Sequence, residues 1–435
     1  MLLEFSVDNF LSFNELQTLS MIGVKSFKEL EETNTIQLPD QKLKVIKSAA
    51  IYGNNASGKS NFLDALGFMR TFVRTSFKDA LEEEPTSRIE YKKFLLREGN
   101  EDRPSFFEIT FISNKTKYRY GFEVDDGIVI SEWLFHTTSK ETYLFKRENE
   151  EYKINKSSFK EGLSLTSKTR NNVLFLTLVA QFNGKISEEV IKWFQNFNVI
   201  SGIHDRGYKR FTIDKLKEDK DFLKWMVEFI NFLEITNIST EIEEVEEIDI
   251  ESLKKKEQDE ELINLFSTMR KLQEKAPKRD KLITWHRKYN DKKILIDTIP
   301  FDFDFDESEG TKKLIYLLGP WYDSIKKGKV LVVDELDSRL HSTLVLRLVE
   351  FFHEQNNNKA QLIFAIHNTS ILNREVLRRD QIWFMNKNQF GESELYSLSD
   401  FSSEKVRKKS AFDKNYLSGK YGAIPYFNNQ KSSLN

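Results

Sequence analysis

The chain has 435 residues, of which 39% are hydrophobic and 31% charged, with a formal net charge of -2. That length predicts two structural units, and the near-neutral balance gives no whole-chain argument for nucleic acid. Cysteine is absent, which excludes disulfides and thiolate metal sites and fits a reducing cytosol, and no apolar run reaches the roughly 18 residues a membrane span needs.

From the N-terminus, Leu3, Phe5 and Val7 alternate with polar residues, predicting a strand that turns near Asp8-Asn9. Met1-Leu2-Leu3-Glu4-Phe5 has neither the basic start nor the long apolar core of a signal peptide, so a cytoplasmic location is expected. Lys47 to Tyr52 reads as a short apolar strand. The run Gly53-Asn54-Asn55-Ala56-Ser57-Gly58-Lys59-Ser60 follows it, and Phe62, Leu63, Leu66 and Met69 then keep helical spacing. Residues 104–146 predict meander strands, with Phe106–Phe111 pairing against the alternating Tyr118, Tyr120, Phe122 and Val124.

Residues 171–275 read as mostly helical. Ile186, Val190, Ile191 and Phe194 form one apolar stripe, and Phe222 to Ile235 is apolar nearly all round, which predicts a buried helix. Glu241 to Glu261 is expected to be a solvated helix or loop, and no heptad pattern persists long enough for coiled-coil arms. Strands return at Leu282–Trp285 and Ile294–Ile296 around a turn at Asn290-Asp291. The expected organisation is a head begun by residues 1–150, a mostly helical insert at 151–280, the second part of the head at 281–400 and a tail at 401–435.

Four motifs carry chemistry. Gly53–Ser60 fits G-x-x-x-x-G-K-[ST]. Its glycines let backbone N–H groups turn inward on phosphate, and the following helix adds its positive end. Lys59 would reach the β- and γ-phosphates of ATP, and Ser60 would hold Mg²⁺. The bland alternative is a Gly/Asn surface turn. Ser308-Glu309-Gly310-Thr311 offers a small hydroxyl and a glycine at a helix start, a frequent loop composition when taken alone, but it stands 26 residues before Asp334.

Val330-Leu331-Val332-Val333-Asp334-Glu335 predicts a buried parallel strand delivering two carboxylates to the ligand crevice of an α/β sheet. Asp334 would act on Mg²⁺, and Glu335 would polarise the attacking water. A strand followed by a polar helix cap is the plain reading. His367 ends the apolar run Leu362–Ile366 and would hydrogen-bond the γ-phosphate, although a histidine at a strand end is commonly structural.

This motif order resembles the ABC-type ATPase head, in the branch containing the SMC, RecF and OLD proteins. Asn61 extends the likeness of the phosphate loop to that branch, and Ala56 departs from it where many relatives have glycine. Ser308 to Thr311 resembles a shortened signature motif, Leu336-Asp337-Ser338-Arg339-Leu340-His341 the D-loop, and His367 the switch histidine. More narrowly, the opening Phe5–Phe13, Glu307–Lys312 and the tail Tyr416–Pro425 are similar to prokaryotic abortive-infection ATPases of the AbiL/RloA type.

The resemblance implies an α/β fold: a mixed sheet with flanking helices plus an antiparallel β subdomain, split by a mostly helical insert. It implies two copies that sandwich ATP, with Ser308, Gly310, Thr311 and Asp337 completing the site built by Gly53–Asn61. A homodimer or higher oligomer is therefore expected, with no membrane partner. ABC heads usually carry a Gln after the first half, and none stands between Lys59 and Gln181. OLD proteins carry a nuclease domain after the head. Only 68 residues follow His367, so any nuclease or toxin effector is expected to be a separate polypeptide from a neighbouring gene. The insert and the basic tail (Arg407-Lys408-Lys409, Lys414, Lys420) are candidate docking regions, against the plain reading of a solvated charged face. An alternative is a RecF-like ATPase clamping duplex DNA, with Lys275, Lys278, Arg279, Lys281, Arg287, Lys288, Lys292 and Lys293 tracking phosphates.

Overall fold

Alternation and apolar runs resolve into eighteen strands in the computed structural model, which describes residues 1–39, 42–78, 92–204, 206–242, 280–401 and 411–424. In chain order they are β1 Leu2–Asp8, β2 Gln17–Ser20, β3 Thr35–Leu38, β4 Leu43–Ile46, β5 Ser48–Gly53 and β6 Ser105–Ser113. Next come β7 Thr116–Asp125, β8 Ile128–Thr137, β9 Glu141–Glu148, β10 Glu151–Ile154, β11 Phe197–Ser201 and β12 Ile235–Ile242. The last six are β13 Asp280–Tyr289, β14 Leu295–Asp302, β15 Val330–Asp334, β16 Gln361–Ala365, β17 Ile382–Lys387 and β18 Ser393–Ser397. The fold is α/β and forms two units, Met1–His204 with Trp321–Asn435, and Asp205–Pro320.

The first unit holds two large sheets. One is antiparallel, in the order β10-β9-β8-β7-β6-β1-β2. Its pairing sets Phe107 opposite Phe122, Ile109 opposite Tyr120 and Phe111 opposite Tyr118. These side chains alternate to one face because strand periodicity is two. That face packs against the helix Lys59–Thr75, whose Phe62, Leu66, Met69 and Val73 are buried. Phe5 meets Phe62 edge to face, with ring centroids 5.4 Å apart. Each such side chain contributes about 1.5–3 kcal/mol by leaving water.

Glu132 of β8 is fully buried and caps the start of the helix Phe175–Gln181, accepting from Phe175 N at 2.6 Å and Leu176 N at 3.0 Å. Burial pushes its carboxyl up, while Arg147 and the two N–H groups pull it back.

The second sheet runs β11-β15-β16-β5-β17-β18, parallel except for the last pair. Ala49–Ile51, Val330–Val333 and Leu362–Phe364 are buried throughout, as strands covered on both faces must be. This sheet sets the carboxyl ends of β15, β16 and β5 side by side.

In the second unit, β12, β13 and β14 form a three-stranded antiparallel sheet. Thr212 of the helix Arg206–Glu218 donates its hydroxyl to Tyr316 O at 2.5 Å. The expectation of a buried helix over Phe222–Ile235 is corrected here. The helix spans Lys220–Phe229, only Phe222 and Met226 of it are buried, and Ile235 opens β12. Likewise β11 and β12 interrupt the stretch read as helical, because pairing with distant strands outweighs local apolar spacing. Beyond Ile242, the charged stretch to Glu261 lies outside the described residues, as do Lys275, Lys278, Arg279 and Arg407–Lys409. Among the described residues, no helix is long and apolar enough to cross a membrane.

Candidate nucleotide-binding site

The strand β5 ends at Gly53, and the chain curls through Asn54–Gly58 before the helix begins at Lys59. Ser57 N donates to Asn54 O at 3.2 Å, closing the curl. Gly58 has φ +106°, a conformation glycine adopts without penalty. Ala56, at φ +61°, lies in the left-handed region too, and there a Cβ costs about 1–2 kcal/mol, which explains why a glycine would suit the position. A Cβ on Gly53 would stand 2.7 Å from Ser57 Oγ and closer still to the backbone oxygen of Met385 on β17, so the turn has no room for one.

The back of the loop is moored on both sides. Asn61 Nδ2 donates to Ser12 Oγ at 2.8 Å. Ser393 Oγ lies 2.8 Å from Ser12 Oγ and 2.7 Å from Ser57 O. Ser12 sits in the opening Phe5–Phe13 and Ser393 begins β18. Neither position carries a local signal for this contact.

Lys59 is buried, and its ammonium donates to Gly53 O and Asn54 O, each at 2.9 Å. Burial lowers its pKa to about 8, against the pull of Asp334, Glu335 and Asp337. Those three carboxylates arrive from the end of β15 and the turn after it. Glu335 takes φ +47° there, and Leu336 N closes the turn onto Ala365 O at 3.1 Å. Asp337 Oδ2 accepts from His367 N at 3.1 Å and Asn368 N at 2.7 Å, tying the turn after β15 to the turn after β16. Desolvation, then the Lys59 charge, hold the His367 imidazole below its ordinary range, which favours its neutral form.

The first unit thus brings together the loop Gly53–Asn61, Asp334, Glu335, Asp337 and His367 at the carboxyl ends of three neighbouring parallel strands, where α/β sheets bind ligands. Ser308, Gly310 and Thr311 belong to the second unit. Ser308 Oγ accepts from Thr311 N at 3.1 Å at the start of the helix Glu309–Lys327, in the geometry of an N-cap.

Two further residues enter this crevice. Gly202, just past β11, donates its N–H to Asp334 O at 2.6 Å and lets that strand lie against the Asp334–Glu335 backbone. Asp64 stands one helical turn after Ser60. Desolvation and then the Asp334 charge push its carboxyl up to about 6, although water still reaches the side chain. Neither Asp64 nor Gly202 belongs to a sequence motif, and each enters the crevice through a partner remote in the chain.

Among the described residues no group of three or more His, Asp or Glu side chains gathers as a metal site, but one carboxylate oxygen beside the loop suits a cation. Asp334 Oδ1 is buried without a hydrogen-bond partner, an arrangement that costs about 1–3 kcal/mol unless something else satisfies it. Ser57 Oγ is in the same position.

Of the described cations in the proposed DNA stripe, Lys281 pairs with Asp302 at 2.6 Å and Arg287 with Glu234 at 3.0 Å. Both are therefore already partly neutralised.

Comparison with known proteins finds one matching family. Residues 48–373 match the family described as "AAA domain, putative AbiEii toxin, Type IV TA system". No curated protein matches the sequence. Among solved structures, the SMC head domain from Thermotoga maritima aligns at 12% identity with a TM-score of 0.39, covering 91% of this chain and 98% of that one. An SMC head bound to the C-terminal winged-helix domain of ScpA aligns at 15% identity with a TM-score of 0.44, covering 93% and 99%. With the family match spanning the phosphate loop, both carboxylates of β15 and His367, the chain belongs to this AAA-domain family of ATPases.

Proposed function

We propose that this protein is an ATP-hydrolysing switch whose two copies close on ATP, and that it regulates a separate effector in an anti-phage defence system. The observation that carries the enzymatic reading is the convergence of Lys59, Asp334, Glu335, Asp337 and His367 around one phosphate loop. The loop amides and Lys59 bind the phosphates of ATP. Ser60 and Asp334 hold Mg²⁺, which when bound neutralises phosphate charge. Glu335 orients and deprotonates the attacking water. The neutral His367 donates a hydrogen bond to the γ-phosphate, and its backbone link to Asp337 couples that contact to the turn after β15. Ser308, Gly310 and Thr311 of one copy complete the site of the other.

The defence role is supported by the family description, which names a toxin of a toxin–antitoxin system. Direct clamping of DNA draws less support, since two of the described cations of its stripe are paired internally.

The test is the solution mass of Glu335→Gln with and without ATP and Mg²⁺, alone and co-expressed with the products of adjacent genes. This variant is expected to bind ATP, to stop turnover and to double in mass with ATP. A mass that stays at one copy with ATP across the accessible concentration range would reject the sandwich. A dimeric or larger mass that ATP does not change means a preassembled oligomer, in which failure of Ser308 to crosslink to the phosphate loop of a second copy would reject it. A co-purifying neighbour identifies the effector.

A further inference from the structure

The residue immediately before the Ser308 motif is a buried carboxylate. Glu307 has a side chain only 8% exposed, and its Oε1 accepts from Thr284 Oγ1 at 2.6 Å. The same oxygen lies 2.7 Å from His286 Nε2. Both partners stand on β13, the middle strand of its sheet, with Thr284 fully buried and the His286 ring packed on Phe301 at 4.5 Å. Placing a carboxylate in such surroundings is unfavourable unless it is hydrogen-bonded. A pairing of this kind is a weak source of stability and better suited to fixing one geometry.

The segment around it is held at other points too. Asp302 caps the short helix Phe303–Asp306 through Asp304 N and Phe305 N. Lys312 reaches back to Asp304 O at 2.7 Å. Between those ties, Glu307 is the link from the loop to the strand.

We propose that Glu307, with Thr284 and His286, is a positioning residue for the Ser308–Thr311 motif, and that it sets the pose in which this motif meets the γ-phosphate held by a second copy. The inference rests on the sandwich reading above. Glu307 touches no substrate. It acts because Ser308 is bonded directly to it, so a shift of its backbone moves the Ser308 hydroxyl equally. A displacement of about 1 Å of such a group lowers a rate by about 10²-fold.

The experiment uses the full chain. Glu307→Ala should lower turnover by about 100-fold while leaving ATP binding at the Lys59 loop unchanged, and circular dichroism with thermal unfolding reports whether the second unit, which carries the substitution, is folded. Glu307→Gln, which keeps the oxygen that accepts from Thr284, should recover most of the turnover. Each variant is then mixed with Lys59→Ala. A mixed dimer holds one site made from the intact loop of one copy and the intact motif of the other, so activity should return. Ser308→Arg mixed with Lys59→Ala is the control.

If the control pair regains activity and the Glu307→Ala pair does not, Glu307 does not serve the motif in trans and the proposal is overturned, while the sandwich stands. If the control pair also fails, the sandwich reading falls and takes this proposal with it. Lost ATP binding in Glu307→Ala would equally overturn it. Should Glu307→Ala fail to fold, Thr284→Val, which removes one of the two partners, is carried through the same scheme with a smaller expected loss.

Discussion

Gly202 gives the sharpest test of the crevice. An added Cβ would lie 2.5 Å from Asp334 O and 2.8 Å from Glu335 C, and closer still to Glu335 O. All three atoms are backbone, so no side chain can swing aside. Carbon needs about 3.5 Å of separation for an ordinary contact. Gly202→Ala therefore forces β11 and the turn after β15 apart by about 1 Å. Overpacking of this kind costs about 1–3 kcal/mol of stability, which thermal unfolding would register as a loss of a few degrees. The larger effect falls on Glu335, whose carboxylate, in the proposed function, sits in line with the attacking water. A misplacement of about 1 Å predicts a turnover lower by about 10²-fold, with ATP binding preserved because the phosphate loop is on another strand. Phosphate release at saturating ATP and equilibrium binding of a fluorescent ATP analogue measure the two quantities. A Gly202→Ala protein that hydrolyses ATP at the wild-type rate would refute the assignment of Glu335, or of the crevice itself.

Lys59→Ala should abolish ATP binding in the same fluorescence assay. Wild-type binding should weaken as pH rises past about 8, where the free protein's Lys59 loses its proton. Phosphate restores that proton, so calorimetry in buffers of different ionisation enthalpy should detect proton uptake on binding at pH 9 and little at pH 7. The sign reverses for the free fold. With a folded pKa of about 8 against an ordinary 10.5, the unfolded chain binds more protons in that window, so this lysine makes the free protein gain stability as pH rises through it.

Local pattern made part of this fold legible. The apolar strand before Gly53, the run Val330–Val333 and the turn at Asn290 announce themselves because their signals lie within a few residues. β11 and β12 do not. Phe197–Ser201 is five residues long, follows a helix, and becomes a strand through pairing with Val330–Asp334, more than a hundred residues away. Gly202, Ser12 and Ser393 are silent for the same reason, since each matters through an atom remote in the chain. Ala56 is the converse case. Its departure from glycine was visible in the sequence, but only its backbone angle gives the departure a magnitude.

The mooring of the phosphate loop by Ser12 and Ser393 has an entropic consequence. Freezing one residue costs about 1–2 kcal/mol, so ordering the eight positions from Gly53 to Ser60 on arrival of a ligand would cost on the order of 10 kcal/mol. Micromolar affinity amounts to only about 8 kcal/mol. A loop that waited for nucleotide to shape it would consume the whole of that attraction. Here the ordering is done when the chain folds, by two hydroxyls 381 residues apart that meet behind the loop. Clipping the first hairpin would thus leave every letter of the phosphate motif in place and silence it.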